Sequence, residues 1–133
     1  MKKFLTEFEK LVSIMKRLRS KNGCMWDKKQ TYKSLTKYLL SEAQEVNLAV
    51  KKGDIENLQE ELGDVLMQIV FYSQIAHERG DFDIYKVIKT LNQKLIRRHP
   101  HIFGNYKVKN AKDIAKMWQE IKAKEKEEKN KLK

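Results

Sequence analysis

Apolar side chains recur every three or four residues along most of this chain, and five stretches hold that period long enough to predict helices. Residues 2–20 carry Phe4, Leu5, Phe8, Leu11, Val12, Met15 and Leu18 at helical spacing, until Asn22-Gly23 stops them. The segment "SKNGCMWDKKQT" breaks the pattern and reads as a loop holding Trp26 and Asp27. A second helix is expected from about Tyr32 to Lys51, with Gly53 just past its end and Asp54 capping the next. The third spans about 55–79 and ends at "ERGD", where Gly80 and Asp81 repeat the same stop-and-cap arrangement. A fourth covers roughly 84–98 and stops before "HPHIFG". The last begins near Ala111 and trails into a charged tail, 123–133, expected to be solvated or frayed. No stretch alternates as a strand does, so the fold expected is all-α, a bundle of about five helices.

Composition agrees with that pattern and narrows it. One proline and five glycines leave little turn chemistry, and 133 residues make one domain, 1–133, without linker or repeat. The single cysteine, Cys24, excludes an internal disulfide and is too few for a thiolate metal site. No apolar run has signal-peptide or membrane-span length, so a soluble, cytoplasmic protein with no membrane partner is expected. The net charge of +11 is spread among interleaved acids rather than gathered in a block. Solvated helix faces account for part of it; an anionic substrate or partner is the other reading.

The second helix breaks its own pattern. Leu35, Tyr38, Leu39, Val46 and Ala49 form its apolar stripe, and Glu42 and Glu45 fall inside that stripe. The third repeats the anomaly with Glu61 and Asp64, again three residues apart. Beyond Asp64 the residues Val65, Leu66, Ile69, Val70, Phe71, Tyr72 and Ile75 wrap most of the axis, as expected of a helix central in its bundle. The turn at Lys51–Asp54 is short, so the two helices are expected to be antiparallel neighbours with their acids level. Two like charges 4 Å apart repel by roughly 4 kcal/mol at an effective dielectric of about 20. Such a cluster needs protons, basic partners or a cation, and an all-oxygen donor set suits Mg²⁺, with Mn²⁺ as substitute. A di-iron bundle would place Glu-x-x-His on its helices, and no Glu here has a His three residues later.

These residues carry a resemblance. "EAQE", fifteen residues, then "ELGD" is similar to the E-x-x-E…E-x-x-D signature of the MazG-type nucleotide pyrophosphohydrolases. "GCMWDKKQTYKSL", "KLIRRHPHIFG" and "MWQEIKAKEK" resemble three further motifs of that family in the same order, covering about residues 20–126. The resemblance implies an all-α enzyme that hydrolyses nucleoside triphosphates between the α and β phosphates, giving monophosphate and pyrophosphate with Mg²⁺. It maps Glu42, Glu45, Glu61 and Asp64 onto the metal ligands, with Glu42 and Glu45 also catalytic and Glu45 the guess for the base. Lys94 and Arg98, at i and i+4 on the fourth helix, match its K-x-x-x-R pair that meets phosphate and serves catalysis. Trp118 and Lys122 match its nucleotide site, Lys122 as a phosphate ligand, and Trp26 and Asp27 a segment near the substrate. Arg97 is a lesser candidate, and His99 and His101 read as hydrogen-bonded structural residues rather than metal ligands.

The sequence departs from the pattern at Ser41, where the family has a further acid, and at Met25, where it has Pro. The resemblance implies a homodimer, with a tetramer as the alternative, and the excess of apolar surface on residues 65–76 fits that. The role implied is nucleotide-pool house-cleaning. Two other readings stand beside it: a nucleotide-binding sensor that has lost turnover, and a basic helical module that binds nucleic acid or protein.

Overall fold

The computed structural model describes residues 1–132 and contains seven helices and, among those residues, no strand. They are α1 (Lys2–Leu18), α2 (Met25–Lys29), α3 (Tyr32–Lys52), α4 (Ile55–Arg79), α5 (Ile84–Arg97), α6 (Pro100–Phe103) and α7 (Ala111–Lys131). The chain divides into two compact units, Met1–Val87 and Ile88–Lys133, and the division falls within α5. The five long helices match the periodic stretches. The two short ones were not expected, because a single turn is too brief to show a period. Trp26 and Asp27 therefore stand on the turn of α2 rather than in a loop.

The first unit is built on the antiparallel pair α3 and α4, with α1 against α4. Thr31 and Ser34 form a reciprocal capping box at the start of α3, each side chain accepting from the other's backbone N–H (3.1 and 2.9 Å). Gly53 ends α3 at φ 67°, a conformation natural to glycine, and Asp54 caps α4 by accepting from the Asn57 N–H at 3.1 Å. Gly80 ends α4 in the same way at φ 76°. The cap of the next helix differs from expectation: Asp83 accepts from the Lys86 N–H (2.9 Å), while Asp81 accepts from the Tyr32 hydroxyl and Arg79. The core gathers Met15, Leu35, Val70, Phe71 and Ile75, with Leu11, Tyr32, Tyr38 and Tyr72 packed against it.

The segment between α1 and α3 is fixed by Arg19. Gly23 lets the chain reverse there, since a Cβ would collide with the Leu18 carbonyl. The Arg19 side chain is only 7% exposed and donates to the Asp27 and Gln30 carbonyls at 2.5 and 3.2 Å. It also makes a two-pronged pair with Glu78 at 2.9 and 3.0 Å, so α2 is tied to the end of α4. Trp26 of α2 then lies edge-on to Tyr38 and Phe71, ring centroids 5.4 and 6.4 Å away.

In the second unit Asn110 caps α7 by accepting from the Asp113 N–H (3.0 Å), and Met117 is its fully buried anchor. Residues 123–131 continue α7 and are nearly all exposed, so the charged end is solvated rather than frayed. Charge alone does not unwind a helix whose glutamates and lysines are good helix formers.

Burial tends to raise the Glu78 carboxyl, but hydrogen bonds from Arg19 and Gln74 outweigh it and hold its pKa below the ordinary value. A carboxylate with a lowered folded pKa contributes stability above its unfolded pKa and loses it as pH falls through the folded one. Arg19→Met is therefore expected to lower the unfolding free energy by about 2 kcal/mol at neutral pH. Urea unfolding followed by circular dichroism checks this, and the deficit should narrow below about pH 4.

Candidate functional site

The α3–α4 turn sets the register that matters. Glu42 on α3 and Glu61 and Asp64 on α4 each offer a carboxylate oxygen, and these oxygens all lie within 4.8 Å of one another. All three side chains are half-buried. Among the described residues, neither Glu42 nor Glu61 forms an ion pair with a basic side chain. Burial, then the charges of Asp64 and Glu45, raise the Glu42 pKa above its ordinary value. Burial, then Asp64, Glu45, Glu42 and Glu60, do the same to Glu61. Glu45 does not join the three. It is exposed one turn further along α3 and reaches the cluster only through its charge. The sequence stripe misplaced it because a helix margin and a helix face differ by less than one residue's rotation.

This donor set fits a hard divalent cation. Three converging carboxylates with no basic partner leave negative charge that a cation of that class neutralises, and they supply oxygen ligands only.

In the second unit, Leu91, Lys94, Leu95, Arg98, His99, Trp118 and Lys122 line a cleft of about 390 Å³. The structure thus brings Lys94, Arg98, Trp118 and Lys122 together, from α5, the α5–α6 junction and α7. Trp118 is exposed rather than core; its indole N–H donates to the Arg98 carbonyl at 2.8 Å, while Met117 beside it fills the core. Arg98 also donates to Glu125 at 3.0 Å, and Arg97 to the other oxygen of Glu125 at 2.5 Å. Hydrogen bonds from Arg98 and Arg97 hold the Glu125 pKa low. His99 bonds through Nδ1 to the Leu95 carbonyl (2.5 Å) and meets Trp118 edge-on at 5.8 Å.

Sequence reasoning missed Glu125 and Arg19, and gave His99 no place beside Trp118. Glu125 sits in a run of Lys and Glu where no position stands out. Trp26 and Asp27 lie in the first unit, on α2, held by the Arg19 network. Although Lys and Arg interleave with acids and form no block, the net charge is not evenly spread along the chain. Fourteen of the 29 Lys and Arg residues, but only five of the 18 acids, fall in the C-terminal third, 88–133. The three-acid cluster is in the near-neutral remainder.

An all-helical chain with inward carboxylates on an antiparallel pair and a basic, aromatic-lined cleft has the parts of a metal-dependent phosphate-handling protein. The comparisons narrow that class. The family model for the MazG nucleotide pyrophosphohydrolase domain matches residues 30–103, and the chain belongs to this family. It is 54% identical over 119 residues to the nucleoside triphosphate pyrophosphohydrolase/pyrophosphatase MazG of Thermotoga maritima, covering 90% of this chain and 45% of that protein. It is 40% identical over 126 residues to the nucleoside triphosphate pyrophosphohydrolase of Escherichia coli K12, covering 94% and 48%. The chain thus spans a little under half the length of these two relatives. The crystal structure of a mazG-related protein from Thermotoga maritima superposes with a TM-score of 0.72 at 34% identity, covering 86% of this chain and 98% of that one.

A carboxyl whose folded pKa is raised is a net cost to the folded state once ionised, and that cost disappears as pH falls below the unfolded pKa. Glu61→Gln is therefore expected to raise the melting temperature of EDTA-treated protein at pH 7.5, with the difference fading by about pH 4. The same variant should lose most of the stabilisation that millimolar Mg²⁺ or Mn²⁺ gives the wild type. Thermal unfolding at both pH values, with metal and with EDTA, checks both signs.

Proposed function

We propose that this protein hydrolyses nucleoside triphosphates at the α–β phosphate anhydride, with Mg²⁺, releasing nucleoside monophosphate and pyrophosphate. The observation that carries this reading is the convergence of Glu42, Glu61 and Asp64 from two helices, with carboxylate oxygens all within 4.8 Å of one another. The names of the relatives supply the reaction class, and the chain's own residues supply the roles.

Glu42, Glu61 and Asp64 hold the divalent ion. When bound, the ion neutralises triphosphate charge and favours both the attacking water and the leaving pyrophosphate. Glu45, exposed and outside the three-acid group, is left free to accept the proton of the attacking water. The water oxygen adds to phosphorus, the α–β bridging bond breaks, and its electron pair leaves with pyrophosphate. Lys94, Arg98 and Lys122 supply fixed cations for the phosphate oxygens, which is where positioning and charge do most of the catalysis in phosphoryl transfer. Trp118 offers an exposed ring for the base or sugar to lie against, and Trp26 and Asp27 border the substrate. Binding phosphate at Arg98 must compete with Glu125, so the guanidinium is already oriented before substrate arrives. The physiological role that follows is cytoplasmic nucleotide-pool house-cleaning.

The working form is a homodimer. Leu62, Leu66 and Ile69 lie on one exposed face of α4, and Leu91 and Leu95 are exposed on α5. Each is an exposed apolar helix face, the kind of surface that supports an interface.

The test is incubation with the eight standard NTPs and dNTPs, with Mg²⁺ or EDTA, and separation of the phosphate products. Monophosphate and pyrophosphate are expected, abolished by EDTA and by Glu61→Gln. Lys94→Ala and Arg98→Ala should each lower kcat/KM by about 10²-fold, the scale of one lost charge-stabilising donor. Diphosphate plus phosphate as products would overturn the reading, and tight binding without turnover would favour the sensor. Sedimentation equilibrium at micromolar concentration is expected to give twice the 15.9 kDa chain mass.

A further inference from the structure

Two polar side chains are buried in α4, Ser73 and Gln68. Ser73 is satisfied, its hydroxyl donating to the Ile69 carbonyl at 2.8 Å. Gln68 is not. It is 3% exposed, and its side-chain carbonyl oxygen is buried without a hydrogen-bond partner. An amide carbonyl left unpaired in the interior keeps the full penalty of losing its water. A Leu or Met there would carry no such cost, so the amide calls for a donor.

The helix register says where that donor belongs. Gln68 follows Asp64 by four residues and Glu61 by seven, so on α4 it lies about 40° from the first and about 20° from the second. It is about 6 Å further along the axis than Asp64. Helical side chains lean toward the N-terminus of their helix, which carries Gln68 toward the carboxylates and away from Phe71 and Ile75. On its other side the buried core is Met15, Leu35, Val70, Phe71 and Ile75, which hold no side-chain oxygen or nitrogen donor; of the tyrosines packed against it, Tyr32 and Tyr72 donate to Asp81 and Thr36, and none reaches the Gln68 oxygen.

We propose that Gln68 is a positioning residue for the ion held by Glu42, Glu61 and Asp64, its side-chain carbonyl accepting a hydrogen bond from a water on that ion. The inference rests on the metal reading above. A neutral amide suits the position. It adds an oxygen acceptor beneath three carboxylates without adding a fourth charge to their repulsion. It also explains why a polar group sits at the boundary between the acid cluster and the apolar core.

The experiment is Mn²⁺ binding by electron paramagnetic resonance on the full chain, with no nucleotide present, paired with thermal unfolding in EDTA. Gln68→Met keeps length and flexibility and removes the acceptor. It should weaken Mn²⁺ binding about 10-fold, with a metal-free melting temperature equal to or above that of the wild type. Gln68→Glu keeps an acceptor and adds charge; it should bind Mn²⁺ more tightly than wild type while lowering the metal-free melting temperature, and it carries the test if the Met variant does not fold. The proposal is overturned if Glu61→Gln loses Mn²⁺ while Gln68→Met and Gln68→Glu both bind within twofold of wild type, because Gln68 is then only a core amide. Wild-type protein that binds no Mn²⁺, or binds it equally well as Glu61→Gln, would overturn the metal reading itself and this inference with it.

Discussion

The mutual repulsion of Glu42, Glu61 and Asp64 is the constraint on which the rest of the first unit depends. Three carboxylates with oxygens within 4.8 Å are held against their own charge by the packing of α3 on α4. That packing is secured at both ends. At one end are the Gly53 turn and the Asp54 cap; at the other, the buried cluster of Leu35, Val70, Phe71 and Ile75. Neither end could be loosened without letting the acids part, since nothing in the cluster itself pulls them together. A scaffold that keeps like charges close in the metal-free state is preorganised for a cation: little has to move when the cation arrives, and the repulsion it relieves adds to its binding.

The same logic orders the parts further out. Arg19 ties α2 to the end of α4, and so places Trp26 over Tyr38 and Phe71, against the α3–α4 core. In the second unit Glu125 plays the reverse part to the acid cluster. One carboxylate serves two arginines, Arg97 and Arg98, and orients the guanidinium of Arg98 at a cleft that otherwise holds only like charge. Lys94, Arg98 and Lys122 would repel one another and swing outward without an anion nearby. A single internal anion reduces that repulsion while leaving the cleft strongly basic.

Much of this was legible in the amino-acid sequence. The five long helices follow from apolar period and from Gly53, Asp54 and Gly80, because each of those signals is local and acts through backbone conformation. The acid pairs stood out because carboxylates in an apolar stripe contradict the pattern around them, and the spacing of Lys94 with Arg98 and of Trp118 with Lys122 put each pair on one helix face. What failed to show was whatever depends on non-local partners. Arg19 looks like any basic residue at a helix end until Glu78, far along the chain, meets it. Glu125 is one of several glutamates in a charged run. Asp81 was taken for a cap on the strength of its position after Gly80, but the Tyr32 hydroxyl claims it and the capping falls to Asp83 two residues on.

The uneven charge of the chain is best understood through the same division. A protein whose +11 were spread evenly would repel a divalent cation and attract a triphosphate at every surface. Here the basic excess is confined to the C-terminal third, and the helix pair carrying the acid cluster lies in sequence that is close to neutral. The crowded carboxylates suit a cation, and the lysines and arginines of the second unit suit an anion. That separation also explains why the metal-free acids can be tolerated without lysine partners. Pairing them with cations would stabilise the fold and close the site to a metal, and the chain places its lysines elsewhere.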